Sequence, residues 1–173
     1  MKFAIFIAPR DFKDETVSML KIFFDKWGIQ YSIASYANKD CVGYHGAVYR
    51  PDINAAKISS ADFDGIMLVD GKGFEDFRLF EYRPLLDTIM LFNERGKYVG
   101  AINNAIKAVA RANIIKDKKV SMPQDEESKR LVLLFHGIPS NEGIEVAKNL
   151  ITIRSSSGLE VQLSEMMKHL GVM

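Results

Sequence analysis

The side chains that could carry nucleophilic or metal-binding chemistry are few and widely spaced in this sequence. The only cysteine is Cys41, and the histidines are His45, His136 and His169. Two histidine ligands on one helical face need a spacing such as His-Glu-x-x-His, which does not occur, so no metal site is predicted. A single cysteine in a loop is most often a packing residue, and the sequence therefore favours that role for Cys41 over catalysis.

Two glutamates and a glycine-containing segment form a second set of candidates. Glu15 lies at the start of a predicted helix, and Glu75 follows the segment 70–73, Asp-Gly-Lys-Gly. Either glutamate could act as an acid or a base, although Glu15 could serve only the helix dipole and Glu75 could simply face water. The glycine segment is too short for a phosphate-binding loop and no Gly-x-Gly-x-x-Gly motif occurs, so no cofactor is predicted.

Apolar segments that alternate with helical patterns define the framework that would position these residues. Strands are predicted at 3–8, 29–34, 65–69, 98–102, 131–135 and 149–153. Helices are predicted from Asp14 to Gly28, from Pro84 to Gly96, at 104–112 and at 159–170, with a turn-rich excursion at 40–51, a loop at 70–74 and a polar surface loop at 123–130. This alternation predicts an α/β fold, a flavodoxin-like three-layer sandwich with a mostly parallel central sheet.

Length and charge limit the classes of partner. A chain of 173 residues predicts one domain spanning 1–173, and a formal net charge of +1 favours neither nucleic acid nor an anionic membrane. The apolar N-terminal segment is short and lacks the features of a signal peptide, so it is predicted to be a strand. One cysteine excludes an intramolecular disulfide, which favours a reducing, cytoplasmic location.

Four segments match a known pattern in the same order along the chain. They are 8–16 (Ala-Pro-Arg-Asp-Phe-Lys-Asp-Glu-Thr), 42–46 (Val-Gly-Tyr-His-Gly) with Pro51-Asp52, the strand and glycine loop at 64–79, and 149–156 (Asn-Leu-Ile-Thr-Ile-Arg-Ser-Ser). Together they resemble the PfpI-type intracellular protease and deglycase family of the class I glutamine-amidotransferase-like superfamily. The resemblance implies that Glu15 is the family's glutamate at the first helix and that Glu75 is donated to a neighbouring subunit's site. It also implies a homo-oligomer, either a dimer or a hexamer-type assembly.

The predicted junction between the strand at 98–102 and the following helix departs from that family pattern. In the segment 100–106, Gly-Ala-Ile-Asn-Asn-Ala-Ile, Asn103 takes the position of the family's catalytic cysteine and Asn104 that of its histidine. A carboxamide is not a nucleophile at neutral pH, so cysteine-dependent amidase or deglycase chemistry is not expected. Asparagine tolerates positive φ, so a sharp elbow could persist without the reaction. Asp70 also replaces a small or proline residue, which disturbs the oxyanion-stabilising geometry that the resemblance implies.

Three functions remain open on these observations. The first is a catalytically inactive PfpI-like protein whose elbow pocket is vestigial or binds a small polar ligand. The second is a hydrolase (protease or amidase) or glyoxalase/deglycase-like enzyme that uses Glu15, Glu75 and His136. The third is a structural module whose cleft is filled by Phe74 or Phe77. The candidate binding residues are Glu15, Gly71, Gly73, Asn103, Asn104 and His136.

Two further features each leave two interpretations open. His136 follows the predicted strand at 131–135 and could face the cleft, or it could be a hydrogen-bonded structural histidine. The aromatic residues Phe74, Phe77, Phe80 and Tyr82 are dense for one short segment. They could anchor a subunit contact, as the resemblance implies, or form a local hydrophobic cluster.

Overall fold

The computed structural model describes all residues, 1–173, and the bounds of its regular elements are as follows. The strands are β1 Lys2–Phe6, β2 Arg10–Phe12, β3 Gln30–Ser35, β4 Cys41–Gly43, β5 Val48–Tyr49, β6 Ile53–Asn54, β7 Gly65–Leu68, β8 Tyr98–Ile102, β9 Lys119–Ser121, β10 Ile138–Ser140, β11 Ile144–Ala147 and β12 Leu150–Ile153. The α-helices are α1 Asp14–Lys26, α2 Lys72–Asp76, α3 Arg83–Glu94, α4 Ile106–Arg111, α5 Glu126–Leu134 and α6 Leu159–Leu170.

A seven-stranded sheet forms the middle layer, in the order β11–β12–β8–β7–β1–β3–β6. Every neighbouring pair is parallel except β11 and β12, which are antiparallel at one edge. The crossovers from β1 to β3 and from β7 to β8 run in opposite directions, so right-handed connections place α1 and α3 on opposite faces. The predicted α/β fold with a mostly parallel sheet between helical layers is confirmed.

The central strands are apolar because helices cover both of their faces. In β1 the residues from Phe3 to Phe6 are fully buried, and so are the next two, Ile7 and Ala8. All four residues of β7 are buried, and their neighbours in β8 are buried from Val99 to Ile102. These strands belong to one continuous hydrophobic core that also includes the inner faces of α1, α3 and α6.

One predicted strand is wrong. Residues 131–135 were expected to be a strand after a polar loop at 123–130, but residues 126–134 form helix α5. Asp125 caps this helix, since its side chain accepts a hydrogen bond of 2.8 Å from the Ser128 N–H. Leu131 and Val132 face the core, whereas Leu133 and Leu134 are half exposed. The apolar residues therefore occupy both the inner and the outer side of one helical turn. A short, continuous apolar run does not show from the sequence alone whether it forms a strand or a helix.

The direction of chain progression reverses at β1, because β3 lies on one side of it and β7 on the other. In open α/β sheets, ligands bind outside the carboxyl ends of the strands at such a switch point. The segments that follow β1, β7 and β8 meet there. No helix of the structure is both long enough and apolar enough to cross a membrane.

Candidate functional site

The turn after β8 is a sharp elbow at Asn103. Its φ angle is 51°, in the left-handed region, and one 3₁₀ turn over Asn103–Ala105 leads into α4. The sequence predicted that asparagine would tolerate this conformation, and the elbow is confirmed. The Asn103 side-chain N–H₂ donates to the Arg154 carbonyl at 2.9 Å, and its Oδ1 accepts from the Asn104 N–H at 2.8 Å. The amide that replaces the family's sulfur therefore stabilises the elbow through both of its ends.

The next residue, Asn104, joins the elbow to the loop after β7. Its Oδ1 accepts from the Gly71 N–H at 3.1 Å, and its Nδ2 donates to the Gly71 carbonyl at 2.8 Å. This two-point contact fixes the orientation of the amide, because the reversed amide would place donor against donor. Gly71 has a φ of 133°, and any Cβ there would press on the backbone of Asp11 and Lys13. Only glycine fits this position.

These contacts remove the backbone donors that an oxyanion hole would need. An oxyanion hole requires N–H groups that are free to bind developing negative charge. At this elbow the N–H groups of Gly71 and Asn104 already donate to the side-chain oxygens of Asn104 and Asn103. The site therefore has no nucleophile at Asn103, and neither of these two N–H groups is free to bind an oxyanion.

Glu75 lies in helix α2, not in the predicted loop, and it is held by its own chain. Its Oε1 lies 2.6 Å from the ammonium nitrogen of Lys107, which also lies 3.3 Å from a Glu127 carboxylate oxygen. The Glu75 Oε1 is also 3.5 Å from the Asn104 Nδ2. Lys107 is buried and needs such partners, so Glu75 supports the elbow from within one chain. The alternative prediction for Glu75, a site role in a neighbouring subunit, has no support in this geometry.

Glu15 lies at the mouth of a cavity of about 430 Å³ beside the elbow. Its carboxylate is 3.3 Å from the His45 Nε2, and both side chains are more than half exposed. Gly71, Asn103 and Asn104 also line this cavity. The sequence analysis missed the other lining residues, which are Asp11, Lys13, Tyr44, His45, Asp70 and Lys72. His45 lies in the segment 42–46, which is part of the family resemblance, so its place near the site could have been inferred from the sequence.

Three other predicted candidates lie elsewhere. Gly73 is buried in α2 against the Arg10 carbonyl, where a Cβ has no room, so it serves packing. His136 follows α5, not a strand, and does not line the cavity; its backbone carbonyl accepts from the Asp117 N–H. Cys41 is buried in the core, and burial raises the pKa of its thiol, which leaves it unreactive.

Asp14 holds the loop that brings His45 to the cavity. Its carboxylate accepts hydrogen bonds of 2.8 Å from the N–H groups of both His45 and Ala47. Burial by itself would raise the pKa of Asp14, but these backbone hydrogen bonds and the neighbouring His45 hold it below its ordinary value. Gly43 lies so close to this carboxylate that a Cβ there would overlap it. The position of the loop is therefore fixed by a buried, charged anchor.

Asp70 is the buried acid of the cavity wall. It follows β7 directly and is 2% exposed, and its Oδ1 accepts a hydrogen bond of 2.7 Å from the Thr16 hydroxyl. Burial raises the pKa of Asp70 to about 6, although the Thr16 hydroxyl and the charge of Lys13 act in the opposite direction. The carboxyl group can therefore change protonation near neutral pH, which is the range that acid–base or ligand-linked chemistry uses.

The elbow predicts two different effects of removing Asn103. Asn103→Gly loses the side-chain hydrogen bonds and should lower the free energy of unfolding by about 1–2 kcal/mol. Asn103→Ala loses the same bonds and must also place a Cβ at positive φ, which should cost about 1 kcal/mol more. Urea unfolding of the two variants and the wild type measures both steps. Equal stability of the glycine and alanine variants would contradict a left-handed elbow in solution.

The raised pKa of Asp70 predicts a stability that falls as pH rises. The folded state keeps the Asp70 proton to a higher pH than the unfolded chain, so ionisation between about pH 4 and pH 6 weakens folding. We expect Asp70→Asn to be more stable than the wild type at pH 7, by up to about 3 kcal/mol, and the difference to vanish near pH 4. Urea unfolding across this pH range measures the difference.

A matched control for that comparison is Asp87→Asn, which removes an exposed carboxylate paired with Arg83 on α3. Its effect on stability should stay within about 0.5 kcal/mol at each pH. An Asp70→Asn variant that is less stable than the wild type at pH 7 would contradict a carboxylate that is strained by burial.

Comparisons with known proteins agree with this architecture. The family model described as the DJ-1/PfpI family matches residues 1–167. An uncharacterized protein of Methanocaldococcus jannaschii is 28% identical over 165 residues, covering 92% of this chain and 80% of that protein. The crystal structure of a ThiJ/PfpI domain protein from Brachyspira murdochii superimposes with a TM-score of 0.91 at 18% identity, covering 99% of this chain and 97% of that one. That of the putative protease I from Bacteroides thetaiotaomicron gives 0.83 at 20% identity, with 98% of each chain covered. The chain therefore belongs to the DJ-1/PfpI family.

Proposed function

We propose that this protein is a DJ-1/PfpI family member without cysteine catalysis, and that its elbow cavity binds a small polar ligand. The observation that carries the proposal is the hydrogen bonding of the elbow. Asn103 takes the place of the nucleophile, and the N–H groups of Gly71 and Asn104 already donate to side-chain oxygens. Without a nucleophile and without these donors, covalent acyl or hemithioacetal chemistry at position 103 has no starting group.

The cavity supports binding over a purely structural role. Its volume of about 430 Å³ falls within the range of roughly 300–1,000 Å³ that is typical of small-molecule sites. Phe74 is fully buried in the core and Phe77 lies on the Tyr36 ring, so neither side chain is among those lining the cavity. The lining residues are almost all polar or charged. A polar ligand matches such a surface.

The alternative function is a hydrolase or glyoxalase-type enzyme that uses Glu15, Glu75 and His136. Only Glu15 of these three lines the cavity, since Glu75 is paired with Lys107 and His136 follows α5. The support for the alternative is therefore weaker than for binding. If such an enzyme existed, its acid–base residues would have to be sought among Glu15, His45 and Asp70.

The proposal predicts the absence of thiol-dependent turnover. Purified protein should consume methylglyoxal and hydrolyse model esters or peptides no faster than buffer, because a carboxamide is not a nucleophile at neutral pH. Initial rates and intact-protein mass spectrometry after incubation provide the two readouts, and the Cys41→Ser variant should give the same result. Turnover that survives Cys41→Ser and collapses in Glu15→Gln would refute the proposal and support the enzyme alternative.

The proposal extends to a cytoplasmic homo-oligomer. The single buried cysteine supports a reducing location. Family resemblance supports self-association, and large apolar side chains are exposed on two elements that pack together, Leu133 and Leu134 on α5 and Ile138 on β10. The other proposed anchors, Phe74 and Phe80, are buried within the chain, which favours the local cluster for them.

Self-association predicts a mass above that of the 19.5 kDa chain. Sedimentation velocity from low to high micromolar protein should give a species of at least twice this mass, and Leu134→Glu should shift it toward the monomer, because a buried charge in an apolar contact is costly. Asp87→Asn, which changes an exposed residue of α3 and not of α5, is the matched control and should leave the mass unchanged. A monomer at all concentrations would contradict the self-association.

A further inference from the structure

The charged residues that line the cavity do not balance. Asp11, Glu15 and Asp70 face Lys13 and Lys72, which leaves one negative charge in excess when His45 is neutral. Two of these groups are already paired, since Glu15 contacts His45 and Lys72 contacts Asp76. Asp11, Lys13 and Asp70 make no ion pair within the chain. An excess of charge alone does not define a binding site, so a site also needs one of these three residues to lack a partner that a ligand can supply.

That residue is Asp70, because it is buried and Thr16 is the only other residue that donates a hydrogen bond to its carboxyl group. Its Oδ1 accepts from Thr16, whereas its Oδ2 accepts no hydrogen bond from any other residue of the chain. The only further donor to this carboxyl group is the backbone N–H of Asp70 itself. Asp70 lines the cavity, so a ligand there lies beside its carboxyl group. Buried carboxylates are normally paired with a cation or bonded several times. A ligand that donates to Oδ2 would supply the missing partner.

The cavity surroundings favour a cationic donor at this oxygen. A ligand anion would meet the carboxylates of Asp70, Glu15 and Asp11, and the only unpaired cation available to it is Lys13. A ligand ammonium would instead form a charge-assisted hydrogen bond with a carboxyl group that is itself buried, where such bonds are stronger than in water. The volume of about 430 Å³ also leaves room for several further ligand atoms beside Tyr44 and Asn104.

We propose that Asp70 is the recognition residue of the cavity, and that the ligand is a small organic cation that presents an N–H-bearing group, such as a primary ammonium, to the Asp70 Oδ2. This inference rests on the proposed binding function, because it names the ligand class of the same site. It assigns a role to a residue that the family pattern does not supply, since a small or proline residue usually stands there in the family that the sequence resembles.

Binding of a cation at Asp70 should depend on pH in a defined direction. Burial raises the pKa of Asp70 to about 6, so the carboxylate that attracts the cation predominates above that pH and is lost below it. The other titratable or charged groups that line the cavity with Asp70 are Asp11 from β2, Lys13 just before α1, Glu15 from α1, Tyr44 and His45 from the loop after β4, and Lys72 from α2. Between pH 7 and pH 5 the ionised fraction of Asp70 falls about tenfold, and the affinity should fall by the same factor.

The test is a titration followed by amide NMR, with the backbone N–H signals of Gly71 and Asn104 as reporters. Methylammonium, methanol and acetate serve as cationic, neutral and anionic probes of similar size. We expect methylammonium to shift the reporter signals saturably, to bind at least tenfold more tightly than the other two at pH 7, and to lose about tenfold in affinity at pH 5.

Two variants make the test specific. Asp70→Asn keeps an oxygen that can accept from Thr16, so it should fold, and it should lose both the preference for methylammonium and the pH dependence. Asp87→Asn, a distant exposed carboxylate, should bind as the wild type does. Tighter binding of acetate or methanol, no binding of methylammonium, or equal methylammonium affinity in Asp70→Asn would each overturn the inference. Preference for another probe would leave the proposed non-catalytic binding function intact, since that function does not specify the charge of the ligand.

Discussion

The two hydrogen bonds between the Asn104 side chain and the backbone of Gly71 join the elbow after β8 to the loop after β7. These two segments line the cavity, and each turns at a residue with positive φ, Gly71 and Asn103. The amide fits because it offers a donor and an acceptor side by side, which matches one peptide group. The same contact occupies the Gly71 N–H, so the bonds that stabilise the elbow also remove a donor from the cavity.

A charge network around one buried lysine lies behind this contact. Lys107 in α4 is paired with Glu75 and Glu127, and Glu75 also approaches Asn104. Both glutamate side chains are partly exposed, so removing either one costs stability mainly because the buried Lys107 ammonium loses a partner. The network therefore fixes where α2 lies relative to the elbow.

Asp14 and Asp70 are both buried aspartates near the cavity, yet their pKa values move in opposite directions. Asp14 accepts two backbone hydrogen bonds through its two oxygens, which outweigh the cost of burial and favour the charged form. Asp70 accepts a hydrogen bond from only one other residue, the Thr16 hydroxyl. The effect of burial is therefore the larger one, and it favours the neutral form of the carboxyl group. One aspartate therefore stabilises the fold, whereas the other weakens it at neutral pH. An acid that weakens the fold at neutral pH is in keeping with the binding role that we propose for Asp70.

The sequence by itself determined the order of β1, β7, β8 and β12, the helices α1, α3 and α6, and the elbow at Asn103. These features depend on local information, namely continuous apolar strands, helical periodicity and the tolerance of asparagine for positive φ. It did not determine α5, because four consecutive apolar residues fit a strand and a helical turn equally well and the cap at Asp125 was the decisive signal. The partners of Glu75, the hydrogen bond from Thr16 to Asp70 and the occupied N–H of Gly71 were decided only by the tertiary structure. Each depends on residues about 30 or more positions apart, such as Lys107 with Glu75 and Thr16 with Asp70, which only the folding of the sheet brings into contact.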